Sequence, residues 1–158
     1  MELIIRKATL NDASDLSHIV TNSWSAAYAQ IIPTDFIVQK NAVRYEQFVK
    51  NLSVPGHNHY IVFADQTPVG TMYLAVDEIV AFYLHPDYFR MGFGTQMMDY
   101  VINLFKNQGS SEIFLWVLEE NHNARKFYEK CGFSLDVGLK EIEYGKKLTC
   151  VRYIVKLL

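Results

Sequence analysis

At 158 residues, half of them hydrophobic and a fifth charged, the chain has the length and composition of one globular domain with a sizeable core. Fifteen Lys and Arg against seventeen Asp and Glu argue against duplex nucleic acid as the main partner, because phosphate-driven binding needs a basic excess. Two cysteines without a C-x-x-C or Cys/His cluster argue against a disulfide framework and a zinc site, and no apolar run reaches the roughly 18 residues of a membrane helix. The opening MELIIRKATLNDA lacks the order of a secretion signal. The expectation is a cytoplasmic single domain over residues 1–158, with no nucleic-acid or membrane partner and no metal.

Glu2 to Lys7 reads as a short strand, and Thr9 with Asp12 three positions on has the spacing of a capping box. Leu16, Ile19, Val20, Ser23, Trp24, Ala27, Tyr28 and Ile31 then step along one helical face. Pro33 stops that helix, and Thr34-Asp35 starts a second with Phe36, Phe48, Val49 and Leu52 on its face, broken at Pro55-Gly56. Tyr60–Ala64, Val69–Val76 and Ile79–Leu84 read as strands separated by turns, which makes an antiparallel meander. Gly94, Met97, Met98, Val101, Ile102 and Phe105 return to helical spacing, ended by Gly109. Ile113–Leu118 is a strand, Ala124–Lys130 a helix stopped by Gly132, and a final strand pair closes with Leu148–Leu157. Val151, Tyr153, Val155 and Leu157 share one face of that last strand, whose exposed rim offers a surface for a possible homodimer. The order is strand, two helices, three strands, helix, strand, helix, two strands. Strand–helix–strand passages require some parallel pairing, so the sheet is mixed.

Two segments carry chemistry. In Leu84-His-Pro-Asp-Tyr-Phe-Arg-Met-Gly92-Phe-Gly94-Thr95 a strand runs into a loop with spaced glycines that opens directly into a helix. Unpaired N–H groups and the positive helix end make a seat for phosphate or pyrophosphate there. Gly94 is followed by Thr95-Gln96 rather than Lys-Ser/Thr, and Met97 stands where a dinucleotide fingerprint has its third glycine, so neither a P-loop nor a nicotinamide fold fits well. The second segment, Asn121-His-Asn-Ala124-Arg-Lys-Phe-Tyr128-Glu-Lys-Cys-Gly132-Phe133, puts Tyr128 four residues after Ala124 on one helix face.

Together these segments resemble the GNAT N-acetyltransferase family. Asn121, Ala124, Tyr128, Gly132 and Phe133 match its Asn-x-x-Ala-x-x-x-Tyr-x-x-x-Gly-Phe pattern, and Gly92 and Gly94 match its pyrophosphate loop. Ser23-Trp24-Ser-Ala-Ala-Tyr28 further resembles a helix of a bacterial subset of the family. Phe89 stands where the loop motif carries Gln or Arg, and Arg90 where a glycine is usual. The resemblance implies an acyl-CoA N-acyltransferase fold of class α/β: a mixed, mostly antiparallel sheet of about seven strands flanked by four helices. It implies acetyl-CoA as co-substrate and direct acetyl transfer to a primary amine of a small molecule or peptide, with a non-catalytic acyl-CoA sensor of the same fold as the alternative.

The resemblance also implies roles for particular residues. The pantetheine arm would lie along Phe82, Tyr83 and Leu84, with the Leu84 N–H facing the thioester carbonyl. The pyrophosphate would sit on the loop Phe89, Arg90, Met91, Gly92, Phe93, Gly94 and Thr95. Tyr128 would protonate the departing thiolate and Asn121 would orient cofactor or water. Glu78 resembles the family's carboxylate base, with Asp77 and Glu119 as rivals. Trp24, Tyr28 and Tyr83 would line the acceptor site, and Arg125 or Lys126 would meet the 3′-phosphate. His57 and His59 invite a metal reading but have no third ligand, His85 and His122 read as loop residues, and Cys131 as a packing residue.

Overall fold

In the computed structural model, which describes residues 2–157, β1 (Leu3–Lys7) leads into helices α1 (Ala13–Ala27), α2 (Thr34–Ala42) and α3 (Arg44–Leu52). Strands β2 (His59–Ala64), β3 (Thr67–Ala75) and β4 (Glu78–Leu84) follow, then α4 (Phe93–Asn107), β5 (Glu112–Leu118), α5 (His122–Lys130), β6 (Ser134–Glu143) and β7 (Lys147–Lys156). The seven strands form one sheet in the order β1-β2-β3-β4-β5-β7-β6. Neighbours are antiparallel except β4 and β5, which are parallel.

Among the described residues the α-helices number five rather than four. The helix read as continuous from Thr34 to Leu52 breaks at Val43, whose ψ is 5°. The break lets Ile37 on α2 join the apolar cluster of Trp24, Ile32 and Leu148, while Leu52 on α3 joins the separate cluster of Leu16 and Ile61. One straight rod cannot reach both. The first helix is also shorter than its periodicity suggests: α1 ends at Ala27, and the N–H groups of Ile31 and Ile32 turn back onto the Tyr28 carbonyl. At the other end, the Asp12 carboxylate accepts the Thr9 N–H at 2.7 Å, as the capping-box spacing predicts, and takes two hydrogen bonds from Arg6. The guanidinium, ahead of the opposing effect of burial, holds the Asp12 pKa below its usual value.

Both faces of the central strands are covered, which is why β2 reads as an unbroken apolar run. Val62 faces the side of α4, with Met97, Val101 and Phe105, whereas Ile61 faces α1 and α3; both are fully buried. Each large side chain so buried contributes about 1.5–3 kcal/mol. The last strand is not an edge. β7 is inserted between β5 and β6, and Tyr153 is wholly buried. The rim belongs to β6, where Leu135, Val137 and Leu139 are exposed. The hairpin turn after β6 sends the chain back inside because the alternate apolar residues of β7 complete the α4 core. Among the described residues no helix is long and apolar enough to cross a membrane.

Candidate active site

Parallel pairing between β4 and β5 is confined to Glu78–Phe114 and Ile79–Leu115; beyond that the strands part. On its other edge β4 stays paired to β3 with one irregularity. Tyr73 opposes Ala81 but Leu74 opposes Ile79, so Val80 is an extra residue. The bulge resets the alternation, and Ile79, Phe82 and Leu84 all join the α4-side core while Ala81 and Tyr83 face the opposite side. The His85 N–H bonds the Val69 carbonyl on β3 at 2.7 Å. Alternation along the strand therefore turns the N–H and C=O of Phe82 and Leu84 toward the open splay. The Ser23 hydroxyl of α1 donates to the Leu84 carbonyl at 3.0 Å and fixes the end of the strand.

The loop after β4 closes onto α4. Phe89 and Met91 are exposed, whereas the Phe93 side chain is in the core, so that residue can offer a ligand only its backbone. Arg90 has φ +63° and Gly92 φ +81°. Arg90 thus takes the left-handed conformation that explains the usual glycine at that place. Gln96 is the first residue of α4 to bond backward, to the Gly92 carbonyl, so the N–H groups of Phe93, Gly94 and Thr95 have no acceptor in the helix. Gly94 has a different job from Gly92. A Cβ there would lie 3.1 Å from the Phe127 ring, so this glycine sets the approach of α5 to α4.

That approach places Tyr128 at the splay. Its half-buried ring packs among Phe82, Phe127, Phe133 and Tyr153, with centroids 5.5–6.4 Å away. Burial, reinforced by Tyr83 and Cys131, holds its phenol well above the ordinary range, so it remains protonated at neutral pH. Asn121 caps α5, its Oδ1 accepting the Ala124 N–H at 3.3 Å. Arg125 is engaged in the framework: its Nε donates to the Tyr153 hydroxyl and its Nη1 to the Glu119 carbonyl, while Lys126 is exposed. Burial pushes the Cys131 thiol up, which suits a packing residue.

On the other face of β4 a cleft of about 250 Å³ opens toward α1–α3, walled by Trp24, Lys40, Arg44, His59, Tyr83 and Tyr144 among others. Trp24 Nε1 donates to the Tyr83 hydroxyl at 3.1 Å, and Tyr28 packs edge-on to Trp24 with ring centroids 5.1 Å apart. Trp24, Tyr28 and Tyr83 are therefore brought together, Trp24 and Tyr83 on the cleft wall and Tyr28 behind it. Arg44 lies over the Trp24 ring at 4.6 Å, donates to Asn41 Oδ1 at 3.2 Å, and has its Nε buried without an acceptor. Desolvation lowers its pKa from the guanidinium value, but a guanidinium keeps its charge at neutral pH. His59 stacks on Tyr73 at 4.2 Å, and burial, helped by His57, pushes its pKa down to about 4, so the ring is neutral. Among the described residues no cluster of three or more His, Cys, Asp or Glu is arranged to hold a metal.

The three candidate carboxylates do not converge on this cleft. Glu78 pairs with Ala75 on the face that carries Tyr73, but lies beyond the cleft wall. Asp77 sits in the β3–β4 turn at φ +58° and accepts the Ser110 hydroxyl at 2.7 Å. Glu119 is exposed beside Lys146 and Lys147, in a separate shallow depression. Sequence reasoning missed Lys40, Arg44 and Tyr144, and read His59 only as a possible ligand. Nothing local distinguishes these residues; they meet because the α2–α3 break and the β6–β7 turn bring them to Trp24. The Ser23 signal was partly visible, as a polar residue on an otherwise apolar helix face.

The Acetyltransferase (GNAT) family model matches residues 24–133, from the tryptophan of the cleft to the phenylalanine that ends the tyrosine segment. The chain belongs to this acetyltransferase family. An N-acetyltransferase of Bacillus subtilis named YuaI, itself uncharacterized, is 28% identical over 125 residues, 74% of this chain and 72% of the relative. Spermidine N(1)-acetyltransferase of Thermoplasma acidophilum is 27% identical over 146 residues, 86% of this chain and 91% of the relative. The crystal structure of the PaiA N-acetyltransferase from Thermoplasma acidophilum with coenzyme A matches the fold of this acetyltransferase with TM-score 0.80, at 23% identity over 99% of each chain.

Proposed function

We propose that this acetyltransferase acts in the cytoplasm, taking acetyl-CoA as co-substrate and acetylating a primary amine by direct attack in a ternary complex. The observation that carries the reading is the open edge of β4, where the Leu84 N–H points into a splay and the Tyr128 ring packs against Phe82 of the same strand. Phe82 and Leu84 would hold the acyl donor's arm by strand-like hydrogen bonds, and the free N–H groups of Phe93, Gly94 and Thr95 would take its pyrophosphate, supported by Arg90 and Gly92. The coenzyme A complex of the PaiA neighbour supports the same choice of donor.

Acetyl-CoA supplies an activated thioester, and the amine nitrogen displaces the thiol to give an amide. The Leu84 N–H donates to the carbonyl oxygen as negative charge builds there, a contribution of about 3 kcal/mol at comparable acyl-transfer sites. Tyr128 donates a hydrogen bond to the leaving sulfur. Its raised pKa makes complete proton transfer to a thiolate of pKa about 8.5 unfavourable, so the proton that sulfur keeps originates on the attacking nitrogen. Glu78 would relay that same proton through water from the nitrogen to the thiolate, since it shares the cleft's face without lining it. A homodimer contact, where one forms, falls on the exposed rim of β6. Calorimetric titration with acetyl-CoA, against NAD and ATP as controls, tests the reading. Selective sub-millimolar binding with thiol release on adding amines is expected; absence of acetyl-CoA binding overturns it.

A further inference from the structure

The cleft behind β4 carries charge that the transfer chemistry does not use. Lys40 and Arg44 line it and no Asp or Glu does. Among the described residues neither cation is in an ion pair, and the cleft's histidine is neutral. Arg44 is also pre-placed: Trp24 stacks under its guanidinium and Asn41 holds one Nη, while its Nε has no protein acceptor. Trp24 in turn is tied to the Tyr83 hydroxyl, one residue from Leu84. The anchor and the reacting edge are thus parts of one packed unit. A volume of about 250 Å³ equals the liquid volume of about eight waters, which suits a small molecule.

We propose that the acceptor is a small amine that also bears an oxyanion group, a carboxylate or phosphate, seated on Arg44 with Lys40 beside it. This rests on the acetyl-transfer reading above and narrows its substrate class. A guanidinium presents paired donors that match either oxyanion, so one contact fixes the molecule and leaves its amine free to reach β4. The two positive charges also disfavour the protonated amine and raise the neutral fraction that can attack. A polyamine, the class named for the Thermoplasma acidophilum relative, would meet repulsion here.

The test compares matched acceptors with acetyl-CoA by thiol release: amino acids against their amides, phosphoethanolamine against ethanolamine, and putrescine and spermidine. The oxyanion-bearing member of at least one pair is expected to exceed its partner and the polyamines tenfold or more in kcat/KM; the amino-acid and phosphoethanolamine arms tell carboxylate from phosphate. Arg44→Gln should raise KM for that compound about 10- to 100-fold with acetyl-CoA affinity retained, and Arg44→Lys should recover part of the loss. Gln47→Glu, which adds a carboxylate to the cleft wall without removing Arg44, should shift preference toward putrescine. Preference for polyamines or neutral amines, or an Arg44→Gln variant with unchanged discrimination, overturns the proposal. If acetyl-CoA binds but no acceptor turns over, calorimetry with the same pairs decides, and absence of oxyanion-dependent binding overturns it. Oxyanion discrimination without acetyl-CoA binding would instead sink the acetyl-transfer reading and leave Arg44 as an oxyanion seat with no acceptor role.

Discussion

On the open edge of β4 the groups proposed to hold the acyl donor are mostly main-chain N–H groups, supplied by β4 and the start of α4. On the other face of the same strand the cleft is walled by side chains from α1, α2, α3, β2, β3, β4 and the β6–β7 turn. The first side is contiguous in sequence and tolerates side-chain change, because backbone donors survive Phe89 and Arg90 standing where the family motif has other residues. The second is assembled from far apart and depends on each side chain. The proposed donor and acceptor sites therefore share one strand but rest on different physics, and substitutions should separate them.

The sharpest separation comes from Tyr128→Phe, which keeps the packing and removes one hydroxyl. Turnover is expected to fall about 100-fold, as on loss of a hydrogen-bond donor to developing charge, with acetyl-CoA affinity nearly unchanged; unchanged turnover would remove Tyr128 from the chemistry. Because its phenol is held above the ordinary range, wild-type turnover should rise with pH as the amine deprotonates, with no falling limb from Tyr128 below about pH 10. A pH–rate profile that falls there would contradict this.

Gly94→Val is expected to act on the donor side through packing. Its side chain would push on the Phe127 ring, 3.1 Å from the first added carbon, and move α5. Overpacking costs about 1–3 kcal/mol, more than the few tenths gained from helix propensity. A lower urea midpoint and weaker acetyl-CoA binding should appear together. Trp24→Phe should do the reverse. It removes the bond to Tyr83 and part of the surface under Arg44, at about 1 kcal/mol, and is expected to raise acceptor KM several-fold while calorimetry with acetyl-CoA is unchanged. Equal effects on both ligands would dissolve the distinction between the two sides.

Arg90→Gly has the smallest expected effect. Relief of the left-handed backbone gains about 1–2 kcal/mol, and the greater freedom of glycine in the unfolded chain returns about 0.4–1. The net is a stabilisation of about 0.5 kcal/mol, read as a small rise in urea midpoint. Should acetyl-CoA affinity fall more than threefold in that variant, the guanidinium and not the backbone alone is holding the donor.

The donor side was legible because its geometry is local. Gly92 answers to its own φ, Asn121 caps a helix beginning at the next residue, and Tyr128 lies one turn from Ala124. The meander was legible from apolar runs and the turn residues between them. Three features were not. The bulge at Val80 leaves no mark in an apolar run, yet it decides which side chains of β4 face the cleft. The break at Val43 has no Pro or Gly, because it is set by two apolar clusters that one rod cannot reach. The insertion of β7 between β5 and β6 follows from where its buried face is needed, which strand propensity does not encode.

From its residues alone, this protein had its fold class, its family and the glycine-bearing loop that opens α4 determined, since each depends on backbone conformation and on groups within a helical turn or two. Only the tertiary structure decided the acceptor side. Arg44 next to Trp24, Tyr144 against the same ring and no carboxylate in the cleft are consequences of how three clusters pack. Electrostatic complementarity depends on distance in space, and the chain brings those charges together only when it is folded.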